Sequence, residues 1–415
     1  MKKSIRFVLL TASLAMLCFV TLISTYAADE TASSTQTVSD GQSSSVLMDE
    51  KYGTKLTLSK GTTVTVTAPD TIYGLYLIWD KPVGTYTVTT GSGSIKCGEN
   101  GFIHEYIRIA AGTKKAVINV PADGSVLCDV CVLSKGELPS FVQTWIPPYK
   151  KADMLVLPTH ADDEYLFFGG TLPYSAGQKG LKVQVAYLTN HWGESYRTHE
   201  LLNGLWICGV KAYPVIGPFN DAQCKTLEIA EQRYGYDNVL KYQVELIRRF
   251  KPEVIIGHDL NGEYGHGMHQ LNARTLAAAL DITGDKTQYT DSAEKYGTWV
   301  VPKTYLHLYP ENTVDMEWDT PLSAFGGKTA FDVALEAFAV HYSQNWDYTL
   351  TRTGGTECVS FGLYRSTVGA DTPGTNDFME NIDLKKDDET TTASSKKAAV
   401  TTTKAAAKET KAERS

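Results

Sequence analysis

MLVLPTHADDE, Met154 to Glu164, sets a short apolar run against a histidine and three consecutive acids. An apolar run of this length, closed by a proline, reads as a buried strand. Three adjacent carboxylates repel one another and resist burial, so their place at a strand end needs a reason. An acidic surface turn is the common one. A cation held among them is the sharper one, and it demands further ligands elsewhere in the chain.

Outward from this stretch, strands alternate with helices. VQVAYLT (183–189) and EVIIGHD (253–259) read as further strands, and HQLNARTLAAAL (269–280) as a helix. Gly169-Gly170 is expected to open one helix, and Arg197 to Cys208 to form another. Val239, Tyr242, Leu246, Ile247 and Phe250 recur at helical spacing until Lys251-Pro252 ends that element. The alternation predicts an α/β domain over 149–384, with a Rossmann-like, largely parallel sheet flanked by helices. Ligands of such sheets bind beyond the carboxyl ends of the strands, where the acids lie.

Residues 51–142 read differently. KLTLS and TTVTVTA alternate apolar with polar residues between Gly, Pro and Asp turns. They predict a smaller antiparallel β-sandwich, an accessory domain that contains no His or acid cluster and so serves binding or support. The aromatic stretch IYGLYLIWDKPVGTYTV (72–88) fits core packing, with sugar stacking as the alternative.

The ends carry addressing signals. Lys2, Lys3 and Arg6, the apolar stretch from Phe7 to Ser24 and Thr25-Tyr26-Ala27 predict a cleaved signal peptide over 1–27. The product would be secreted or attached to the cell surface, with no membrane span. Residues 28–50 read as a disordered linker and the Lys/Thr/Ala-rich 385–415 as a disordered tail, suited to weak attachment to an anionic envelope polymer. A net charge of -8 over 415 residues offers no footprint for nucleic acid. Signal removal leaves six cysteines. Cys128 and Cys131 sit in the strand-like SVLCDVCVL, where residues three apart face opposite ways, so they make no zinc ribbon. Their pairing stays open.

A second strand end matches the first. After EVIIGHD come Glu263, Tyr264, His266 and His269, the two histidines three apart on one helix face. Two imidazoles and one carboxylate hold zinc while leaving a place for water. His160, Asp163 and His269 can supply them. Asp162 then lies beside an activated water as its proton acceptor. His266 stands opposite, to stabilise an oxyanion or protonate a leaving amine.

PTHADDE followed by GEYGHGMH resembles the paired HPDDE and HPDH motifs of the PIG-L/LmbE family of zinc-dependent N-deacetylases, over roughly Asp153 to Asp383. The resemblance implies the same roles: His160, Asp163 and His269 on zinc or another divalent transition metal, Asp162 as base, His266 as catalytic. It adds Tyr264 beside the reacting carbonyl. It places Arg197, of a helix like the family's RxxE, on substrate, against a helix-surface ion pair with Glu194 or Glu200. Asp221 is placed on sugar hydroxyls, against a turn-forming role. Trp192, in the loop after the second strand, can serve as a stacking platform. Ala161 replaces the motif proline, and Gly267-Met268 replaces Pro-Asp, removing a carboxylate that Glu263 can replace. The function implied is an exported hydrolase that deacetylates an N-acetylated amino sugar or glycan of N-acetylglucosamine type. The alternatives are an amidase for another N-acyl substrate, or a non-catalytic glycan-binding surface protein with a vestigial fold.

Overall fold

The computed structural model describes residues 34–346 and 348–384; the expected signal peptide and the tail from 385 lie outside them. The first seven strands are β1 (Thr35–Val38), β2 (Leu56–Leu58), β3 (Thr63–Trp79), β4 (Tyr86–Thr90), β5 (Gly93–Cys97), β6 (His104–Asn119) and β7 (Ser125–Leu133). They hydrogen-bond into one antiparallel sheet in the order β2-β7-β3-β6-β4-β5, with β1 also on β3. Its spine is the β3–β6 pair, whose register runs from Thr63↔Asn119 to Ile78↔His104 and shifts between Thr67 and Gly74. Val64 and Val66 alternate inward with half-buried threonines, whereas Leu75 to Trp79 are all buried, so that half of β3 is covered on both faces.

One expectation needs correcting. The described part of the linker, residues 34–50, is ordered: β1 pairs with β3 from Thr35↔Thr67 to Val38↔Val64, and Leu47 is fully buried. Alternating Gln36 and Val38 supply an inward face that a count of apolar residues misses. Gly169-Gly170 leads into a helix as expected: Thr171 and Leu172 are helical and Pro173–Gln178 continues as a π-helix, while a separate short helix, α1 (Asp163–Leu166), starts in the acid triplet. Gly170 also serves close packing: a Cβ there would lie 2.6 Å from Ala330 Cβ.

The second sheet is mixed. It comprises β8 (Met154–Val156), β9 (Val183–Val185), β12 (Val254–Gly257), β13 (Lys303–His307), β14 (Thr313–Asp315) and β15 (Ser360–Ser366). Its order is β14-β15-β13-β12-β8-β9, with β9, β8, β12 and β13 mutually parallel and β15 and β14 antiparallel. A short parallel pair, β10 (Thr189–Asn190) and β11 (Phe219–Asn220), extends from the site side. The chain is therefore α/β. All residues of β8, β12 and β13 are buried, as in strands sandwiched by helices. One covering layer is α4 (Tyr236–Phe250), preceded by α2 (Tyr196–Ile207) and α3 (Leu227–Tyr234) and followed by α5 (Gly267–Ile282). Val244, Ile247 and Phe250 of α4 meet Leu155, Ile255 and Leu306 in one cluster with Leu276 and Ala279 of α5. As the spacing predicts, α4 stops at Lys251, whose φ of 45° is left-handed, just before Pro252. Among the described residues no helix is long and apolar enough to cross a membrane.

Candidate active site

Strands β8 and β12 run parallel in the register Val254↔Met154 to Ile256↔Val156. Their carboxyl ends therefore deliver Thr159-His160 and His258 to one crevice. Asp162 precedes α1 with φ 129° and ψ −28°. For a residue with a Cβ that conformation costs about 1–3 kcal/mol and marks a functional turn. It is held by the Asp162 N–H donating to Glu164 Oε2 (2.9 Å) and by the Tyr165 and Leu166 N–H groups on the Asp162 carbonyl.

Three donor atoms converge there. His160 Nδ1 lies 3.0 Å from His269 Nε2 and 3.3 Å from Asp163 Oδ2, and His269 Nε2 lies 3.2 Å from that same oxygen. Ligands of a tetrahedral zinc stand about 3.3–3.5 Å apart, so the triangle is close to the size such an ion needs, tighter by about 0.3 Å at its shortest edge. The second nitrogen of each ring faces an acceptor: His160 Nε2 is 3.5 Å from Asp221 Oδ1, and His269 Nδ1 is 3.5 Å from the Glu263 carbonyl. That is the usual support of a metal-ligating histidine, and it leaves the converging nitrogens with their lone pairs. Against the cost of burial, His269 and His160 hold the Asp163 carboxyl well below its ordinary value. The Thr159 and His160 N–H groups also donate to Asp163 Oδ2, at 3.1 and 2.7 Å. The donor set and its spacing fit a divalent transition metal.

Two more imidazoles come near, since Asp163, His258 and His269, and likewise His160, His266 and His269, also bring donor atoms within 4.8 Å of one another. However, His258 is held between Asp163 Oδ2 (3.4 Å from Nε2) and Glu263 Oε1 (3.0 Å from Nδ1), which against burial push its pKa up to about 9 and leave it no free lone pair. His266 Nε2 meets the Cys224 N–H at 3.3 Å. A nitrogen faced by an N–H has its lone pair occupied. His266 then carries its proton on Nδ1, which is buried without a partner. Burial, with His160 and His269 nearby, pushes its pKa down to about 3. At neutral pH His266 is therefore a neutral hydrogen-bond donor rather than a proton carrier.

Asp162 lies apart from the triangle. Burial, with Asp163 beside it, holds its carboxyl well above the ordinary value, opposed by Arg197. Arg197 reaches in from the first turn of α2: Nη2 is 3.5 Å from Asp162 Oδ2 and 2.7 Å from the Ala161 carbonyl, and Nη1 donates to Asp221 Oδ2 at 3.1 Å. Its partners are thus Asp162 and Asp221. Glu200 instead binds Ser343, accepting from its N–H at 3.0 Å. Asp221 also faces His191 Nδ1 at 3.3 Å, and His191 Nε2 accepts from the Ala161 N–H at 3.1 Å. A proline at 161 could not donate that bond, so the departure from the motif is put to use here.

Tyr264 stands at the mouth, 59% exposed, with its ring centroid 5.5 Å from that of His269. Trp192 is half-buried, its backbone N–H 3.4 Å from Asn190 Oδ1. Met268 packs in an apolar cluster with Cys224, Ala230 and Leu271. Glu263 does not orient His266: it is buried between His258 Nδ1 (3.0 Å) and His307 Nδ1 (2.9 Å). His307 Nε2 is 2.5 Å from the Glu357 carbonyl, so both its nitrogens face acceptors and the ring is held as an imidazolium. A line of Asp163, His258, Glu263 and His307 thus backs the site. His258 was legible as the polar end of a strand, but His307, 44 residues beyond Glu263, carried no local signal. Glu263→Gln leaves that buried charge uncompensated and should cost about 3–5 kcal/mol. Urea unfolding of the two proteins measures this loss.

Residues 155–280 match the family model described as PIG-L: GlcNAc-PI de-N-acetylase. The chain thus carries the PIG-L domain that its two motifs announce. It is similar to a 1D-myo-inositol 2-acetamido-2-deoxy-alpha-D-glucopyranoside deacetylase of Salinispora arenicola, 24% identical over 280 residues, or 56% of this chain and 90% of that protein. The Mycobacterium leprae enzyme of the same name is 28% identical over 185 residues, 38% of this chain and 59% of its own length. Among solved structures, N,N'-diacetylchitobiose deacetylase from Pyrococcus horikoshii aligns with a TM-score of 0.36 at 18% identity, covering 48% of this chain and 72% of that one.

Proposed function

We propose that this chain is an exported, divalent-metal-dependent deacetylase that hydrolyses the acetamide of an amino sugar or glycan of N-acetylglucosamine type. The observation that carries the reading is the His160–Asp163–His269 triangle with the strained, buried Asp162 beside it. The PIG-L domain and the two inositol-sugar deacetylases named above support the choice of bond.

An ion of zinc type held by the triangle would polarise the amide carbonyl and acidify a water. Asp162, its affinity for protons raised by burial, takes the proton as water adds to the carbonyl carbon. His266 donates its Nδ1–H to the carbonyl oxygen as negative charge builds there. When the C–N bond breaks, Asp162 returns the proton to the amine nitrogen, and acetate and the free amine leave. Tyr264 borders the carbonyl. Asp221, one quarter exposed, and the half-buried Trp192 are assigned to sugar hydroxyls and a sugar face. Arg197, its Nη atoms engaged within the site, holds Asp162 and Asp221 in place.

This assignment makes a pH prediction. Asp162 must be ionised to act, so activity falls as pH drops through its pKa. Arg197 lowers that pKa. Arg197→Gln should therefore move the acidic limb of kcat/KM to higher pH, and a limb that stays or moves down would remove Asp162 from the role of base. The substrate class is tested by incubating the mature protein with N-acetylated chito-oligosaccharides, an N-acetylglucosaminyl inositol and N-acetyl amino acids, and assaying acetate. Release from the sugars is expected. Release from the amino acids alone would favour an amidase for another N-acyl substrate.

A further inference from the structure

The N-terminal sheet meets the helix that carries Arg197 through a buried polar cluster. Asp80 follows the last residue of β3, Cys128 lies on β7 and His199 on α2; all three are buried, and their donor atoms lie within 4.8 Å of one another. Lys55 Nζ (2.7 Å) and Ser195 Oγ (2.5 Å) both bind Asp80 Oδ1, leaving Oδ2 for another partner.

The hydrogen bonds around His199 fix its tautomer. Trp145 Nε1–H donates to Gln143 Oε1 at 2.9 Å, while Gln143 Nε2 donates to Asn203 Oδ1 at 2.7 Å, so the Gln143 amide has one orientation. Its oxygen faces His104 Nδ1 at 2.8 Å, and that nitrogen must carry the proton. His104 Nε2 then accepts, and across 2.8 Å His199 Nδ1 must donate. His199 Nε2 is left with a lone pair, buried and without a partner. Burial keeps both rings neutral, pushing His104 down to about 3 and His199 well below its ordinary value. A buried acceptor left unpaired costs about 1–3 kcal/mol. Carboxylate, thiol and imidazole donors, one per residue, are a ligand set for zinc-type ions.

We propose that Asp80, Cys128 and His199 bind a second divalent cation of zinc type, which fastens the N-terminal sheet to α2. The Cys128 S–H gives up its proton to solvent as the metal–sulfur bond forms. His199 Nε2 and Asp80 Oδ2 supply two more ligands, and a water completes the tetrahedron. Because α2 also presents Arg197 to Asp162, the ion stabilises the helix that shapes the active site without touching substrate. This site rests on none of the residues assigned to deacetylation.

Cobalt distinguishes the two sites, because a thiolate ligand produces a near-ultraviolet charge-transfer band and the His160–Asp163–His269 triangle contains only nitrogen and oxygen. The full mature chain, stripped by a chelator, is titrated with Co²⁺ alone and followed by absorbance and by bound metal. The expected result is two ions per chain with a thiolate band. His160→Ala should fall to one ion and keep the band, whereas Cys128→Ser and His199→Gln should fall to one ion and lose it. Folded wild-type protein that binds a single Co²⁺ without a thiolate band overturns the proposal, whether or not the variants fold. So does a band that persists in Cys128→Ser.

Discussion

Asp162→Asn should lower kcat on an N-acetylated sugar by about 10²–10⁴-fold, the usual consequence of losing a positioned general base. Metal content should not change, because the carboxylate oxygen within reach of both His160 and His269 belongs to Asp163. Stability should hold or rise. A carboxyl whose folded pKa lies above its unfolded value stabilises the fold only while protonated, and that contribution is lost as pH rises through the folded value. Asn removes a buried charge that is unfavourable at neutral pH. Reduced turnover together with an equal or higher Tm is the signature of a strained functional residue. Turnover, metal analysis and thermal unfolding on one preparation check all three. Loss of the metal from the Asp162→Asn protein would mean that the two aspartates have exchanged roles.

His269→Ala, and equally His160→Ala, should abolish binding at the triangle and the activity with it. His269 is fully buried and offers Nε2 to both other ligands at 3.0 and 3.2 Å. Loss of a ligand should exceed the roughly 10–100-fold drop in affinity that follows loss of a supporting partner. His258→Gln and His266→Gln should stay within that smaller range, since His258 is held by the Asp163 and Glu263 carboxylates and His266 uses Nε2 on the Cys224 N–H. Chelator competition across the four variants ranks them. A His266 variant as metal-poor as the His269 variant would bring His266 into the ligand set and take it away from the carbonyl oxygen.

The triangle was legible because chemistry and periodicity agreed there. MLVLPTH and EVIIGHD are both apolar runs that end in polar residues, and parallel pairing of β8 with β12 is what an α/β alternation requires. The role of His266 was half legible. Its position at the start of α5 follows from spacing, but its proton affinity depends on Cys224, His160 and burial, which only the folded chain brings together. Arg197 could be placed on a helix but not given a partner, because Asp221 comes from a different loop, 24 residues on. The reading of 51–142 as free of His or acid clusters was right for the linear sequence and incomplete in space. His104 and Asp80 are 24 residues apart, and His199 joins them from the other side of the chain. Long-range pairing of single polar residues leaves no pattern in a local window.

The most direct test of the account is acetate release by the purified protein with divalent metal removed by a chelator and then restored. Chelated protein given N-acetylated chito-oligosaccharides or an N-acetylglucosaminyl inositol should release none. Stepwise zinc should restore release in proportion to occupancy of the His160–Asp163–His269 triangle, with one free amine formed per acetate, and His160→Ala should not respond. Folded, zinc-loaded wild-type protein that frees no acetate from any amino sugar would contradict the account, as would release that continues unchanged without metal.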